Sequence, residues 1–176
     1  METRKNACSF FGHRNTKATP ALIEKLQELI VFLVKKKGVE WFLFGSRSSF
    51  DDLCLEAVTR VQKEYPHIKR IDVRTRYPHL HDIYMKLTLQ HYDDSVLPSG
   101  VENAGRASYV ERNQAMIDAS NYCIFYYNPE YLPPERRERK RNIRTYQPKS
   151  GTRIAYEYAI RKKQNGQLLE VFNLYT

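Results

Sequence analysis

Two short stretches carry residue types suited to holding an anion. The first is Gly12-His13-Arg14, which follows directly on the apolar run Ala7-Cys8-Ser9-Phe10-Phe11. A strand ending in Gly-His-Arg, with a helix start a few residues later at Thr19-Pro20, is where an α/β protein builds a phosphate site. The same residues would also serve as an ordinary strand-to-helix turn with a surface His and Arg. The second stretch is Ser150-Gly151-Thr152, which stands ahead of Ile154, Ala155, Tyr158 and Ala159 at helical spacing. A glycine at a helix start lets a ligand approach the backbone, the free N–H groups and helix dipole favour negative charge, and Thr152 adds a hydroxyl donor. Alternatively, the triplet only caps the helix. Two such cradles in one chain favour a phosphate-bearing ligand. The sequence contains neither a Walker A loop nor a Gly-x-Gly-x-x-Gly fingerprint, which argues against ordinary ATPase and dehydrogenase chemistry.

Other side chains could reach the same ligand. Asp51 and Glu56 stand near the start of a predicted helix. Either could attack or protonate at a glycosidic carbon, as carboxylates do in sugar-base cleavage; the plainer reading makes Asp51 a cap and Glu56 a surface residue. Arg112 and Asn113 could contact a ligand as polar forks, or Arg112 could pair with a neighbouring acid on its helix. His13 contributes charge only where its surroundings keep it protonated, and a neutral hydrogen-bonding role is equally open. Gly45-Ser46 and Tyr126-Tyr127 end apolar runs; Tyr126 reads as packing, whereas Tyr127 could stack on a base. No Cys-x-x-Cys pair or His near a cysteine at ligand spacing points to a metal, and no separate cofactor is indicated.

Hydrophobic periodicity supplies the elements that must position these residues. Leu22, Ile23, Leu26, Leu29, Ile30, Leu33 and Val34 predict a helix from Pro20 to Lys37, capped by Thr19 and closed at Gly38. Val39 to Phe44 predicts a buried strand, and Ser49-Phe50-Asp51-Asp52 resembles a capping box opening a helix buried through Leu53, Ala57, Val58 and Val61. Further strands are predicted at Ile68 to Val73, Ser95 to Leu97, Tyr122 to Tyr127 and Leu168 to Leu174. Helices are predicted at His79 to His91, with Leu80, Ile83, Tyr84 and Leu87 on one side, at Ala107 to Ala119, and after Ser150. Strands separated by single helices need crossover connections. The expected fold is therefore α/β, one domain over residues 1–176 with a mostly parallel sheet of five or six strands and helices on both faces. Ligands of such folds lie beyond the carboxyl ends of the strands, where the strand order reverses, so the loops at Gly12, Gly45, Tyr127 and Gly151 can converge.

The formal net charge of +9 is unevenly spread: from Glu135 to Arg144 six basic residues stand against two acidic ones. This run lies in a segment at about 129–149, between Pro133-Pro134 and Pro148, that reads as a solvated loop or as a lid over a polyanionic ligand. With Tyr131 and Tyr146 interleaved, Arg136, Arg137, Arg139, Lys140 and Arg141 could also hold single-stranded nucleic acid. Cys8, Cys54 and Cys123 lie in apolar segments and read as reduced core residues of a cytoplasmic protein. No run is long and apolar enough to predict a membrane span. A homo-oligomer is compatible with this composition.

In order along the chain, Gly12-His13-Arg14, Phe50-Asp51 with Glu56, Arg112-Asn113 with Met116 and Asp118, and Ser150-Gly151-Thr152 with Tyr158-Ala159 form a set. This set resembles the SLOG superfamily, specifically its YpsA-like subgroup, whose corresponding patterns look like Thr-Gly-His-Arg, Gly-Phe-Asp followed by Ala-Ala-Glu, Arg-Asn-x-x-Met-x-Asp, and Gly-Gly-Thr with a later Tyr-Ala. Here Ser49 replaces the glycine before Phe-Asp, and Ser150 replaces the first glycine of Gly-Gly-Thr. The resemblance implies a Rossmann-like fold for a nucleotide-derived ligand of the nucleotide, NAD or ADP-ribose class. Its relatives include cytokinin-activating phosphoribohydrolases, the DNA-processing protein DprA and sensor domains of antiphage systems. It further implies that Gly12, His13, Arg14, Gly151 and Thr152 hold phosphate while Asp51 and Glu56 face a ribose or base. Phosphoribohydrolases of the lonely-guy type carry a glutamate soon after Gly-Thr; Ile154 and Ala155 fill those places here, and Glu157 lies further along. Binding or sensing is therefore the first expectation, N-glycosidic cleavage of a nucleoside phosphate the second, and nucleic-acid binding through the basic run the third.

Overall fold

Thr19 begins the longest helix as its sequence suggests: its side chain accepts the N–H of Leu22, Pro20 takes the first helical position, and α1 runs Pro20–Lys37. Three lysines in the last turn complement the helix dipole, and Gly38 closes α1 at φ 66, a conformation that favours glycine. The N–H of Val39 then returns to the carbonyl of Leu33. Val39 is thereby used in closing the helix, and β2 starts later than the apolar run predicts, at Trp41–Phe44.

The computed structural model describes residues 6–45, 48–76, 82–131 and 149–176. Ser46 and the five basic residues Arg136, Arg137, Arg139, Lys140 and Arg141 lie outside them. The remaining elements are β1 (Ala7–Gly12), α2 (Ser49–Glu64), β3 (Lys69–Val73), α3 (Asp82–Thr88), β4 (Asp94–Val96), α4 (Ser108–Asp118), β5 (Tyr122–Tyr126), α5 (Gly151–Gln164) and β6 (Glu170–Asn173). Two 3-10 turns precede α4. All five strand pairings are parallel, and the order across the sheet is β4-β3-β2-β1-β5-β6. The chain moves from β1 toward β4 and then returns to the other side of β1. The strand order therefore reverses between β1 and β5, the crevice position of a doubly wound sheet.

Side chains alternate across this sheet with the period of two that strands impose. Cys8 and Phe10 of β1, Phe42 and Phe44 of β2 and Ile124 of β5 pack under Leu26, Ile30 and Leu33 of α1 and Phe50, Cys54 and Val58 of α2. Phe11, Leu43, Cys123 and Phe125 face the other way, against Met116 and Ile117 of α4 and Ala155 and Ala159 of α5. All three cysteines are free and buried, as the apolar context of each predicts. Ser9, the polar residue inside β1, is satisfied there: its hydroxyl reaches the carbonyl of Met116 at 3.2 Å and the hydroxyl of Ser120 at 2.6 Å.

Two local expectations are corrected. The cap of α2 is Ser48, not Ser49: the Ser48 hydroxyl accepts the Asp51 N–H at 3.1 Å and donates to the Asp51 carboxylate. The cap is thus shifted by one residue, and the Asp51 carboxylate bonds the capping hydroxyl itself rather than the Ser48 backbone. Helix α3 is shorter than its expected span from His79 to His91, running Asp82–Thr88, and Leu87 on it is 52% exposed. Among the described residues, no helix is long and apolar enough to cross a membrane.

Candidate functional site

The carboxyl end of β1 is tied to the start of α2. Thr16 N–H donates to the Ser49 hydroxyl at 2.6 Å, while Ser49 gives its N–H and its hydroxyl to the Arg14 carbonyl at 3.0 and 2.9 Å. Gly12 belongs to this join: a Cβ there would lie 2.4 Å from the Phe50 ring. Its missing side chain makes room for Phe50. Arg14 is exposed, whereas His13 is only 4% exposed.

His13 is held on several sides. Its Nε2 accepts the backbone N–H of Asn128 at 3.0 Å, and its ring stacks on Tyr131 with centroids 3.9 Å apart. A nitrogen that accepts an N–H must carry a lone pair, so the proton of the neutral imidazole sits on Nδ1. Burial pushes the His13 pKa below its ordinary value, which favours that neutral form. Nδ1 is buried and has no hydrogen-bond partner among the described residues. An unsatisfied buried donor costs about 1–3 kcal/mol, which an incoming acceptor would offset.

Tyr127 links His13 to α5. Its ring centroid lies 6.1 Å from that of His13 and 4.6 Å from that of Tyr156, on which it stacks. Asn173 of β6 clamps its backbone, accepting the Tyr127 N–H at 2.9 Å and donating to the Tyr127 carbonyl at 3.0 Å. Tyr127 is thus packed on edge residues of the crevice, with 9% of its surface exposed. His13, Tyr127 and α5 therefore form one neighbourhood at the reversal point.

The N-termini of α2 and α5 differ in what they leave for a ligand. Helix α2 holds Asp51 and Asp52 in its first turn, and its first N–H, from Ser49, is given to the Arg14 carbonyl. Helix α5 has no acidic residue in its first turn, and Ser150 caps it by accepting the Arg153 N–H. A Cβ on Gly151 would meet nothing within 4 Å among the described residues. Neither packing on those residues nor a positive φ demands glycine there, so that space is available to a group that approaches the backbone. Thr152 is buried beside it. Glu157 is occupied by Lys149 at 2.7 Å and Arg153 at 2.9 Å, which hold its carboxyl below its usual pKa.

The two candidate carboxylates are not brought together. Residues five apart on a helix point about 140° apart, and the fold places Asp51 inside, beneath the Ser48 hydroxyl, and Glu56 outside in an ion pair with Arg60. Glu56 lines a groove of about 440 Å³ with Asp52, Lys63, Arg70 and His91, on the outer side of α2. Arg112 is 3% exposed and donates to the carbonyls of Gly45 and, at 3.3 Å, Val73. It sits at the carboxyl ends of β2 and β3, with Asn113 accepting from its Nε at 3.0 Å. Sequence reasoning missed Ser48, Asn128, Tyr156 and Asn173. Tyr156 carried a signal, four residues after Thr152 on one helix face; the backbone donor of Asn128 and the clamp of Asn173 carried none.

An all-parallel doubly wound sheet whose crevice joins Gly-His-Arg to a glycine-led helix N-terminus defines a Rossmann-like domain. The sequence model of the YspA SLOG family (YpsA) matches residues 4–159, and the chain belongs to that family. No curated protein sequence matches it.

Proposed function

We propose that this chain binds or senses a nucleotide-derived small molecule, of the nucleotide, NAD or ADP-ribose class, with phosphate at the N-terminus of α5. The observation that carries this reading is the first turn of α5 at the β1/β5 reversal, which combines a glycine that no described residue approaches with the absence of acidic residues. The aligned N–H groups of such a turn attract an anion. The unpartnered Nδ1 of His13 supports the reading from the opposite side of Tyr127. Arg14, exposed at the same strand end, supplies a cation that needs no desolvation until the ligand arrives.

Binding rather than hydrolysis is favoured by the carboxylates. Glycosidic cleavage by two carboxylates needs them on either side of one bond, and Glu56 is turned away from Asp51 and neutralised by Arg60. Calorimetric titration with ADP-ribose, NAD and linear and cyclic nucleotides tests the proposal. At least one should bind the native chain, and Arg14→Ala and Thr152→Val should each weaken it by about tenfold, the worth of one charge-assisted or well-placed hydrogen bond. Absence of binding to the native chain, or unchanged affinity in both variants, would contradict it.

A further inference from the structure

Arg112 is a cation almost wholly withdrawn from water, and three of the five N–H groups of a guanidinium are spent on the protein itself. Two go to the carbonyls of Gly45 and Val73, the terminal acceptors of neighbouring strands. The space it takes is reserved: a Cβ on Gly45 would stand 2.7 Å from Nε and 2.8 Å from Cζ of Arg112. The third donor, Nε–H, goes to Asn113 Oδ1 at 3.0 Å. A guanidinium only donates, so this bond dictates which end of the carboxamide faces it. The Nδ2 end of half-buried Asn113 is left turned away from Arg112 as a pair of donors. Burial pushes the Arg112 pKa below its ordinary value and Asp51 and Asp72 act against that shift through space, so the guanidinium stays charged.

We infer that Arg112 is a positioning residue: it staples the carboxyl ends of β2 and β3 and turns Asn113, whose Nδ2 donates to a neutral acceptor of the ligand, a sugar hydroxyl or a base carbonyl or ring nitrogen. The inference rests on the reading of this edge as a nucleotide site. It separates two tasks, with the anion held at α5 and the uncharged part recognised beside β2. A ligand must then carry both parts, as a phosphorylated nucleoside does and inorganic pyrophosphate does not.

The test compares ADP with inorganic pyrophosphate on the full chain and its Arg112→Lys, Asn113→Ala and double variants. Lysine keeps the charge and can reach a carbonyl but lacks the Nε fork. Each single variant should lose about tenfold in ADP affinity, the double should lose no more than either, and pyrophosphate should bind all four alike. Additive losses, or an equal loss for pyrophosphate in Arg112→Lys, would overturn the positioning role in favour of direct contact. A second arm needs no ligand: the Arg112 Nε–H resonance should exchange slowly in the native protein and faster in Asn113→Ala. Equal exchange in both would overturn the geometry. If the native chain binds neither compound, the nucleotide reading fails, and with it the ligand contact inferred for Asn113. The exchange arm then still decides whether Arg112 fixes that side chain.

Discussion

The imidazole of His13 lies face to face with the ring of Tyr131, their centroids 3.9 Å apart and their planes 20° from parallel. Nε2 accepts the Asn128 N–H, which needs the ring neutral, and burial lowers the His13 pKa in the folded state. The sign of the pH dependence follows. A depressed folded-state pKa gives a stability contribution that is whole above the unfolded value and is lost as the pH falls through the folded one. Urea unfolding at about pH 7.5 and about pH 5 should therefore show a larger drop for the native chain than for His13→Gln, which cannot titrate. Equal drops would mean that His13 is not held neutral by the fold.

Three glycines should answer differently to alanine. At Gly12 the added Cβ would lie 2.4 Å from the Phe50 ring, and at Gly45 it would lie 2.7 Å from Met116 Sδ and Arg112 Nε. Overpacking of this kind costs about 1–3 kcal/mol. Gly151→Ala meets none of the described residues and should stay within about 0.5 kcal/mol of the native stability while weakening ADP binding. Urea midpoints and calorimetry on the three variants check the contrast. A destabilised Gly151→Ala with native affinity would give that glycine a structural role.

Helix α2 offers a third check. Ser48→Ala removes both the cap and the hydroxyl that donates to buried Asp51, and should cost about 1–2 kcal/mol. Ser49→Ala leaves the cap and the backbone bond from the Ser49 N–H to the Arg14 carbonyl, but releases the Thr16 amide from α2. Its expected signature is faster hydrogen exchange at the Thr16 amide with a smaller loss of global stability, measured by exchange NMR beside urea unfolding. A larger global loss from Ser49→Ala than from Ser48→Ala would restore Ser49 as the cap.

Helix α1 is legible to the residue, because Thr19, Pro20, the apolar stripe and Gly38 all point to the same boundaries. The alternation of strands and helices likewise leads to the parallel sheet. What periodicity does not carry is competition between adjacent equivalents: Ser48 and Ser49 are both able caps, and only the loop from Arg14 to Thr16 decides which hydroxyl is taken. Arg112 illustrates a second limit. Its place on a helix is readable, but its burial depends on carbonyls from β2 and β3 that come near only in the folded sheet. That Asp51 and Glu56 point different ways is readable from sequence alone, since a separation of five residues divides them between helix faces.

The first turn of α5, on the helix that Tyr127 joins to His13, is the proposed anion site. An NMR titration of the native chain with ADP, following backbone amides and the His13 imidazole, tests it most directly. The largest shifts should fall on the amides of Gly151 and Thr152 and on His13 Nδ1, with Ser49 and Phe50 at the start of α2 nearly unmoved. Shifts centred on Ser49 and Phe50 or on the groove between Glu56 and His91, or none at all at saturating ADP, would contradict it.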